Sequence, residues 1–282
     1  GLRDLPLCSS SFDCVLSCSV LLHLGYDELS QRQAATVLRA CQRAMAQGRL
    51  DAIVVANAGC GSTVKDYGFH FRQSPTWAEP AARLAALTRD VTEVVEQLGL
   101  PSPGRAGRAD LSGLTIAYHA SCALQHGQKL AALPPALLAA AGFTVRALPE
   151  APLCCGSAGT YNLLQPDLAQ ALGQRKHQAI ERLAPDAVAT GNLGCLTQLA
   201  AGTTVPVVHT VELLDWATGG PVPDAEVEVR IHRSNYAFNW PIPREFPWLF
   251  DGSGSGFNSG PTFWRGRRTR LRTRRRWRTR CA

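Results

Sequence analysis

The residues best suited to chemistry are two adjacent thiols followed by a glycine, Cys154-Cys155-Gly156. Neighbouring residues of an extended chain point to opposite faces, and a disulfide needs a particular spacing of its Cβ atoms, so adjacent cysteines do not easily join ordinary disulfides. A turn that aims both sulfurs at one centre suits a metal cluster better. Cys122 lies 31 intervening residues before the pair, and Cys195 lies 39 residues after it. Four thiolates can therefore converge on one site.

Two other interpretations of the cysteines stay open at this point. An isolated cysteine most often packs as a small hydrophobic side chain, and this is our interpretation of Cys41. Zinc is the rival metal, but structural zinc sites normally use close Cys-x-x-Cys pairs. The residues three positions after Cys60 and Cys195 are Thr63 and Gln198. The paired thiols with two spaced partners favour an iron–sulfur cluster, which four cysteines usually hold.

Histidine and glycine residues beside the cysteines can support such a site. His119 and His126 lie on either side of Cys122, and a neutral imidazole there can hydrogen-bond a cluster sulfur or relay a proton. The plainer interpretation is that His119 ends a strand and His126 lies at the surface. Gly156 and Gly194 allow the backbone to approach sulfur closely and to turn its N–H groups toward it. We expect His119, Gly156 and Gly194 to contact the cofactor.

Hydrophobic periodicity predicts the elements that must position these residues. Amphipathic or apolar spacing predicts helices, and short apolar runs with β-branched residues predict buried parallel strands. The alternation of the two favours an α/β architecture with mainly parallel sheets, whose sites gather at the carboxyl ends of the strands. The predicted helices cover residues 27–47, 76–98, 134–141, 163–183 and 211–216, and the predicted strands cover residues 51–56, 115–118, 143–148, 186–190 and 205–209.

An internal repeat divides the chain into two similar halves. Residues 51–60 and 186–195 each place an Asp nine positions before a Cys, and five of the ten positions are identical at an offset of 135 residues. Tracing each half backwards from its strand makes the Cys154-Cys155 pair correspond roughly to Ser17-Cys18. The first half therefore lacks one thiol of the pair, and Cys18 and Cys60 are its candidate metal ligands.

Net charge is +7, but the basic excess belongs to the last part of the chain. Residues 221–282 contain 13 arginines, no lysine and 5 acidic residues, and a run of Gly and Ser precedes the final arginine-rich stretch. No apolar period persists there, so we expect a disordered tail. A basic tail can bind nucleic acid, which makes a nucleic-acid-binding or scaffold protein the alternative function. The rest of the chain is nearly neutral, so nucleic acid is not the partner we expect.

Composition also bounds the compartment. Ten cysteines are too few for a disulfide scaffold in 282 residues, and the first 24 residues do not resemble a signal peptide. The longest apolar run covers residues 130–143 and contains two prolines, whereas a membrane helix needs roughly 20 apolar residues. We expect a cytoplasmic protein without a transmembrane segment.

Three stretches resemble a known family, the iron–sulfur subunit of glycolate oxidase. Its cysteine-rich module is shared with heterodisulfide reductase and with lactate-utilisation iron–sulfur proteins. The first copy of that module is similar to Asn57-Ala-Gly-Cys-Gly61. The likeness is most specific in the second half, at Tyr118-His-Ala-Ser-Cys-Ala-Leu-Gln-His-Gly-Gln128, Leu153-Cys-Cys-Gly-Ser-Ala-Gly-Thr-Tyr161 and Gly191-Asn-Leu-Gly-Cys195.

The resemblance implies an electron-transfer subunit with a [4Fe–4S]-type cluster. It implies that Cys122, Cys154, Cys155 and Cys195 bind the cluster of the second module, and that Cys60 matches a late cysteine of the first. It also implies an FAD-containing partner subunit that oxidises a 2-hydroxy acid such as glycolate, and onward transfer toward a quinone-linked acceptor, with peripheral association at the inner membrane. The subunit itself is not expected to be catalytic.

The same resemblance predicts how the chain is divided. We expect an incomplete first module over residues 1–100, a linker over 101–114, a complete cysteine-rich module over 115–219, and the arginine-rich tail over 220–282. The chain begins with Gly1 and contains none of the ferredoxin-type cysteine runs of the family. We therefore expect a fragment, and an inactive truncated product is a further alternative.

Overall fold

The computed structural model describes residues 28–47, 50–100, 111–159 and 161–223, which all belong to one compact unit. Three of the sequence-based predictions fall outside these residues. They concern the Ser17-Cys18 position, most of the proposed linker, and the tail from residue 224 onward.

Helices and short strands alternate along the described chain, as the sequence predicted. The helices are α1 (Glu28–Gln47), α2 (Ala58–Lys65), α3 (Tyr67–His70), α4 (Ala78–Leu87), α5 (Val91–Leu98), α6 (Leu133–Ala140), α7 (Tyr161–Leu164), α8 (Pro166–Leu183), α9 (Leu193–Ala200) and α10 (Thr210–Ala217). A π-helical turn covers Ala123–Gly127. The strands are β1 (Ile53–Val55), β2 (Thr88–Asp90), β3 (Thr115–Tyr118), β4 (Thr144–Ala147), β5 (Ala187–Thr190) and β6 (Val207–His209).

The strands form two sheets in which every described pair is parallel. β1 and β2 make a two-stranded sheet, and the other four make a sheet in the order β4-β3-β5-β6. The central strand β5 is buried along its whole length, as expected for a parallel strand covered on both faces. The α/β fold class with parallel sheets is confirmed.

The internal repeat is longer in the structure than in the sequence motif. In the first half β1 pairs with β2 so that Ile53 lies opposite Thr88. In the second half β5 pairs with β6 so that Val188, the equivalent of Ile53, lies opposite Val207. Each second strand then runs into a helix that begins with a capping box, at Asp90 and at His209. The unit β1-α2-β2-α5 is therefore repeated, in the same register, as β5-α9-β6-α10.

The single helix predicted over residues 76–98 is wrong, because a strand interrupts it. Helix α4 ends at Leu87, β2 follows, and α5 begins only at Val91. Two local interactions fix the break: the Thr88 hydroxyl donates to the Leu84 carbonyl, and the Asp90 carboxylate accepts from the Thr92 N–H. Pairing of β2 with β1 thus overrides the helical propensity of the alanine- and leucine-rich sequence.

Each half has its own apolar core. The first gathers residues of α1, α2 and α4 and includes Cys41 and Cys60. The second surrounds β5 and includes Cys155 and Cys195, with Cys154 packed at its edge. The interpretation of Cys41 as a buried, packed residue agrees with its 4% exposure.

Equivalent turns of the two halves meet in what we call the seam, formed by residues 56–58 and 191–193. The Ala58 N–H donates to the Gly191 carbonyl at 2.9 Å, and the Leu193 N–H donates to Asn57 Oδ1 at 3.2 Å. His209 Nε2 lies 2.8 Å from the Ala56 carbonyl, while its Nδ1 accepts from the Val211 N–H, so the ring proton belongs on Nε2. Backbone groups of one half are thereby satisfied by the other.

No helix in the described ranges is both long enough and apolar enough to cross a membrane.

Candidate metal centre

The four cysteines singled out in the second half lie beyond the carboxyl ends of three adjacent parallel strands. Cys122 follows β3 and begins the π-helical turn, Cys154 and Cys155 lie in the loop after β4, and Cys195 lies in the first turn of α9 after β5. Because these strands are neighbours in one sheet, their carboxyl ends bring the loops to a common edge. The structure thus gathers residues that are up to 73 positions apart in sequence.

The four thiols lie in a row, each close enough to the next to shift its pKa. Cys154 interacts with Cys122 on one side and with Cys155 on the other, and Cys155 interacts with Cys195. The chain runs from the surface to the core, since Cys122 is exposed, Cys154 is half-buried, and Cys155 and Cys195 are buried. Such a cluster of thiols has one edge at solvent and the other in the core of the second half.

Mutual hydrogen bonding divides the four thiols into two kinds. The hydrogen bond from Cys122 is the main reason why the pKa of Cys154 is well below its usual range, and the bond from Cys155 likewise lowers the pKa of Cys195. The same bonds raise the pKa of the two donors, Cys122 and Cys155. The lowered pKa values favour the thiolate form of Cys154 and Cys195, and thiolates are the form that binds metal.

The Cys-Cys-Gly loop turns backbone donors toward the sulfurs, as the sequence predicted for Gly156. The Gly156 N–H lies 3.4 Å from Cys154 Sγ, and the Ser157 N–H hydrogen-bonds Cys155. Gly156 has φ +94°, and a Cβ there would lie 2.3 Å from the Ala169 carbonyl oxygen of α8. Only glycine fits this position, because both the backbone conformation and the space exclude a side chain.

Gly194 allows a second close approach, between α9 and the same loop. A Cβ at Gly194 would lie 2.7 Å from the hydroxyl of the buried Ser157 and 3.2 Å from Asn192 Oδ1. The Asn192 side chain caps α9 by accepting from the Cys195 N–H at 3.1 Å. Gly194 therefore keeps the helix that carries Cys195 against the Cys-Cys-Gly loop; that it contacts a cofactor stays a prediction.

Among the described histidines, His119 is the one that lies with the thiols. It is 2% exposed, and one of its ring nitrogens lies within 4.8 Å of the sulfurs of Cys155 and Cys195, in a group compact enough to hold a metal ion. Neither nitrogen has a well-aligned hydrogen-bond partner among the described residues, although the ring helps to lower the pKa of Cys195. His126 is instead exposed and contacts the neighbouring Gln125, in agreement with a surface position.

Cys60 is not brought to these thiols. It lies in the core of the first half, where its sulfur accepts from Asn57 Nδ2 at 3.2 Å. Cys18, the other candidate of the first half, is outside the described residues. Metal binding by Cys60 and Cys18 stays a prediction, and within the described residues the geometry of a metal centre is found in the second half.

Gln198 shows what replaces the final cysteine of a Cys-x-x-Cys pair here. It lies one turn after Cys195 on α9, and its Nε2 donates to the Ala169 carbonyl of α8 at 3.4 Å. The side chain connects two helices that flank the site, so this position contributes to packing.

Sequence reasoning missed a buried cation beside the thiols. Lys176 on α8 is 1% exposed, and its Nζ donates to the Glu150 carbonyl at 2.6 Å, at the start of the loop that carries Cys154 and Cys155. Burial lowers the pKa of Lys176, and the nearby sulfurs act in the opposite direction. A lysine on the polar side of an amphipathic helix is ordinarily exposed, so the sequence offered no signal for it.

Two further polar residues extend the site toward the first half. The Tyr118 hydroxyl at the end of β3 is buried and has no hydrogen-bond partner among the described residues. It is close enough to Asp90 and Cys195 for both to interact with it electrostatically. Burial and these two groups raise the pKa of Tyr118. Asp90 is itself buried at the end of β2, and its repeated position with His209 is the signal that could have revealed it.

The residues gathered at this site fit the requirements of an iron–sulfur cluster. The sulfurs of Cys155 and Cys195 lie within 4.8 Å of each other and of a ring nitrogen of the buried His119. Cys154 and Cys122 continue this group toward the surface, and the Gly156 N–H lies 3.4 Å from Cys154 Sγ. Clusters of this kind are held by cysteine thiolates and tuned by hydrogen bonds to sulfur.

Comparison with known proteins agrees with this arrangement. Residues 116–200, which contain all four cysteines, match the family described as the CCG cysteine-rich domain. The predicted resemblance to this cysteine-rich family is confirmed, and the Cys-Cys-Gly turn lies at the centre of the matched segment.

Relatives of known name extend the likeness beyond the CCG domain. The chain is 35% identical over 195 residues to the glycolate oxidase iron-sulfur subunit of Escherichia coli, and 28% identical over 181 residues to a probable glycolate oxidase iron-sulfur subunit of Bacillus subtilis. It is 29% identical over 198 residues to lactate utilization protein A of Geobacillus thermodenitrificans.

Coverage of these relatives differs. The matched segments comprise 69%, 60% and 65% of this chain, and 46%, 39% and 77% of the E. coli, B. subtilis and Geobacillus proteins, respectively. The chain therefore spans about half or less of the two glycolate oxidase subunits.

Proposed function

We propose that this chain is an electron-transfer subunit whose CCG domain holds one iron–sulfur cluster, of the [4Fe–4S] type, on Cys122, Cys154, Cys155 and Cys195. The convergence of these four thiols at one sheet edge carries the proposal. When bound, the cluster supplies a reversible one-electron carrier. The names of the relatives, two of them iron-sulfur subunits, support the same cofactor.

The residues around the thiols have distinct roles in this proposal. The N–H groups of Gly156 and Ser157 stabilise negative charge on Cys154 and Cys155, since hydrogen bonds to sulfur favour the more reduced, more negative state. Asn192 fixes the backbone of Cys195 through the α9 cap. His119 lies beside the two buried sulfurs and hydrogen-bonds sulfur or shields it from water.

The exposed edge of the site is where electrons enter or leave. Cys122 is the exposed thiol of the four, while the opposite edge is enclosed by the core of the second half. A partner that docks over Cys122 reaches the cofactor by the shortest path. The proposed donor is an FAD-containing subunit that oxidises glycolate or another 2-hydroxy acid, and the proposed acceptor is quinone-linked and lies at the inner membrane.

Anaerobic reconstitution of the full chain with iron and sulfide tests the proposal. We expect a brown protein with visible charge-transfer absorption, stoichiometric iron and sulfide, and an EPR signal on reduction with dithionite. Cys155→Ala removes a ligand and should abolish most of the signal. Cys41→Ala is the matched control, because it removes a buried thiol outside the group that is not a candidate ligand, and it should retain the signal.

A wild-type chain that stays colourless and EPR-silent while it binds stoichiometric zinc would overturn the proposal. Equal losses in Cys155→Ala and Cys41→Ala would instead contradict the assignment of the four ligands.

A further inference from the structure

We propose that the buried ammonium group of Lys176 raises the reduction potential of the cofactor bound by the four thiols. This inference rests on the proposed function. Lys176 lies outside the cysteine motifs. The inference is based on the contact between one face of α8 and the Cys-Cys-Gly loop.

The Cys-Cys-Gly loop is held by three positions on one face of α8. The Ala169 carbonyl occupies the space next to Gly156, and a Cβ at Gly173 would lie 3.7 Å from the Cys155 carbonyl. One turn further, Lys176 Nζ donates to the Glu150 carbonyl at 2.6 Å. Positions 169, 173 and 176 follow the helical repeat, so the same helix face meets the loop from its end to its start.

Lys176 brings a positive charge to an interior that otherwise collects negative charge. The charges that act on it come from Cys155, from the exposed carboxylate of Glu150, and from Cys154 and Cys195. Three of these four groups are proposed cluster ligands. Among the described residues it is the only buried lysine or arginine, at 1% exposure.

Burial is what makes this charge effective. A charge interacts far more strongly across a protein interior than across water, where salt also screens it. Addition of an electron makes the cluster and its thiolates one unit more negative, and a fixed cation nearby stabilises that state more than the oxidised state. Removal of the cation is therefore expected to lower the reduction potential.

The alternative role is purely structural, as an anchor for the loop. The single hydrogen bond to the Glu150 carbonyl would then matter, and the charge would not. The two roles differ in what they change: an anchor affects cluster uptake and stability, whereas a charge shifts the midpoint potential of a fully loaded protein.

The experiment compares midpoint potentials of reconstituted full-length variants by EPR-monitored redox titration. Lys176→Met keeps the length of the side chain and removes its charge. We expect normal iron and sulfide content and a potential more negative by about 59 mV, which corresponds to a tenfold change in the one-electron equilibrium constant. Lys176→Gln keeps a hydrogen-bond donor without the charge, should give the same shift, and replaces the Met variant if that one does not fold.

Arg175→Met is the matched control. Arg175 is the neighbouring cation on α8 and pairs with the carboxylate of the same Glu150 at 3.0 Å, but both side chains are more than half exposed. Its removal takes the same formal charge from the surface and should leave the potential unchanged, because exposed charges are screened.

Four outcomes would overturn the inference. A fully loaded Lys176→Met variant with an unchanged potential rules out the charge effect, and so does a shift of equal size in Arg175→Met. Folded Lys176→Met and Lys176→Gln variants that take up no cluster assign the residue to assembly alone. A wild-type chain that takes up no cluster fails earlier, and it overturns the proposed function together with this inference.

Discussion

The turn at residues 57–60 and the turn at residues 192–195 are copies of one structure with different chemistry. Each follows the first strand of its repeat, begins with Asn and places Cys in the first turn of a short helix, and the strand registers are the same. Asn192 caps its own helix, whereas Asn57 accepts a hydrogen bond from the other repeat. Cys195 belongs to a group of thiols, whereas Cys60 belongs to an apolar core.

The difference shows that this turn positions a thiol but does not by itself create a metal centre. What Cys195 has in addition is the loop after β4, held against it by Gly156 and Gly194, and the π-helical turn that presents Cys122. In the described part of the first repeat, Cys60 meets the amide of Asn57 instead. The chemistry is therefore set by neighbouring loops, and the turn supplies geometry that either function can use.

The largest expected difference between the two turns is in cofactor binding. Cys195→Ala removes a proposed ligand. Loss of a residue that only hydrogen-bonds a ligand costs roughly 10–100-fold in metal affinity, so loss of the ligand itself should cost more. Cys60→Ala should leave occupancy unchanged and cost about 1 kcal/mol of stability, as a typical core substitution does. Iron and sulfide analysis after reconstitution, with urea denaturation of both variants, measures the two effects.

A Cys60→Ala variant that loses half of its iron would break the comparison. It would mean that the first repeat also binds metal, through Cys60 and residues outside the described ranges.

The two asparagines should differ in how they affect stability. Asn57→Ala removes two hydrogen bonds, one from the Leu193 N–H and one to Cys60, and at about 1 kcal/mol each it should cost about 2 kcal/mol. Asn192→Ala removes a helix cap and should cost about 1 kcal/mol. Urea-induced unfolding of the metal-free proteins, monitored by circular dichroism, measures both values.

An Asn57→Ala cost no larger than that of Asn192→Ala would show that the seam contributes little. The comparison between the turns would then reduce to their cysteines.

The smallest expected effect concerns the paired capping residues, Asp90 and His209. Burial raises the pKa of the Asp90 carboxyl above its ordinary 3.8, so the folded state binds a proton more tightly than the unfolded state. The contribution of Asp90 to the free energy of unfolding should therefore decrease as pH rises from 3.8 through the raised pKa, and stay constant above it. Asp90→Asn, which keeps a capping side chain, should remove this slope.

Unfolding free energies measured between about pH 3.5 and 8 test the sign. Glu79→Gln, which removes an exposed carboxylate from α4, is the control and should leave the slope as in the wild type. A slope that persists in Asp90→Asn would assign it to another group.

The location of a residue in the fold could be predicted from the sequence where the residue belongs to a repeated or paired pattern. The Asp-to-Cys repeat located both turns, and the adjacent thiols with their spaced partners pointed to four cysteines that follow neighbouring strands of one sheet, although their role as ligands stays a prediction. These signals succeed because strand-turn-helix units of a parallel sheet place their turns at one edge whatever the lengths of the loops between them.

Residues whose environment is made by distant packing were missed. β2 has only three residues inside a helix-forming sequence, so its existence depends on pairing with β1. Lys176 has the sequence context of an exposed helix residue and is buried only because a loop from another part of the chain covers it. The different surroundings of Cys60 and Cys195 likewise depend on loops that are far from both in sequence.

The seam also determines how the chain can be divided in practice. The carbonyls of Ala56 and Gly191 and the N–H groups of Ala58 and Leu193 find their partners across it. A shortened chain that begins at residue 111 would contain the whole CCG domain, yet it would expose the Gly191 carbonyl and the Leu193 N–H beside Cys195. The repeated strand-turn-helix unit is thus smaller than the part of the chain that has to be expressed together. A stable, metal-binding product should require both halves.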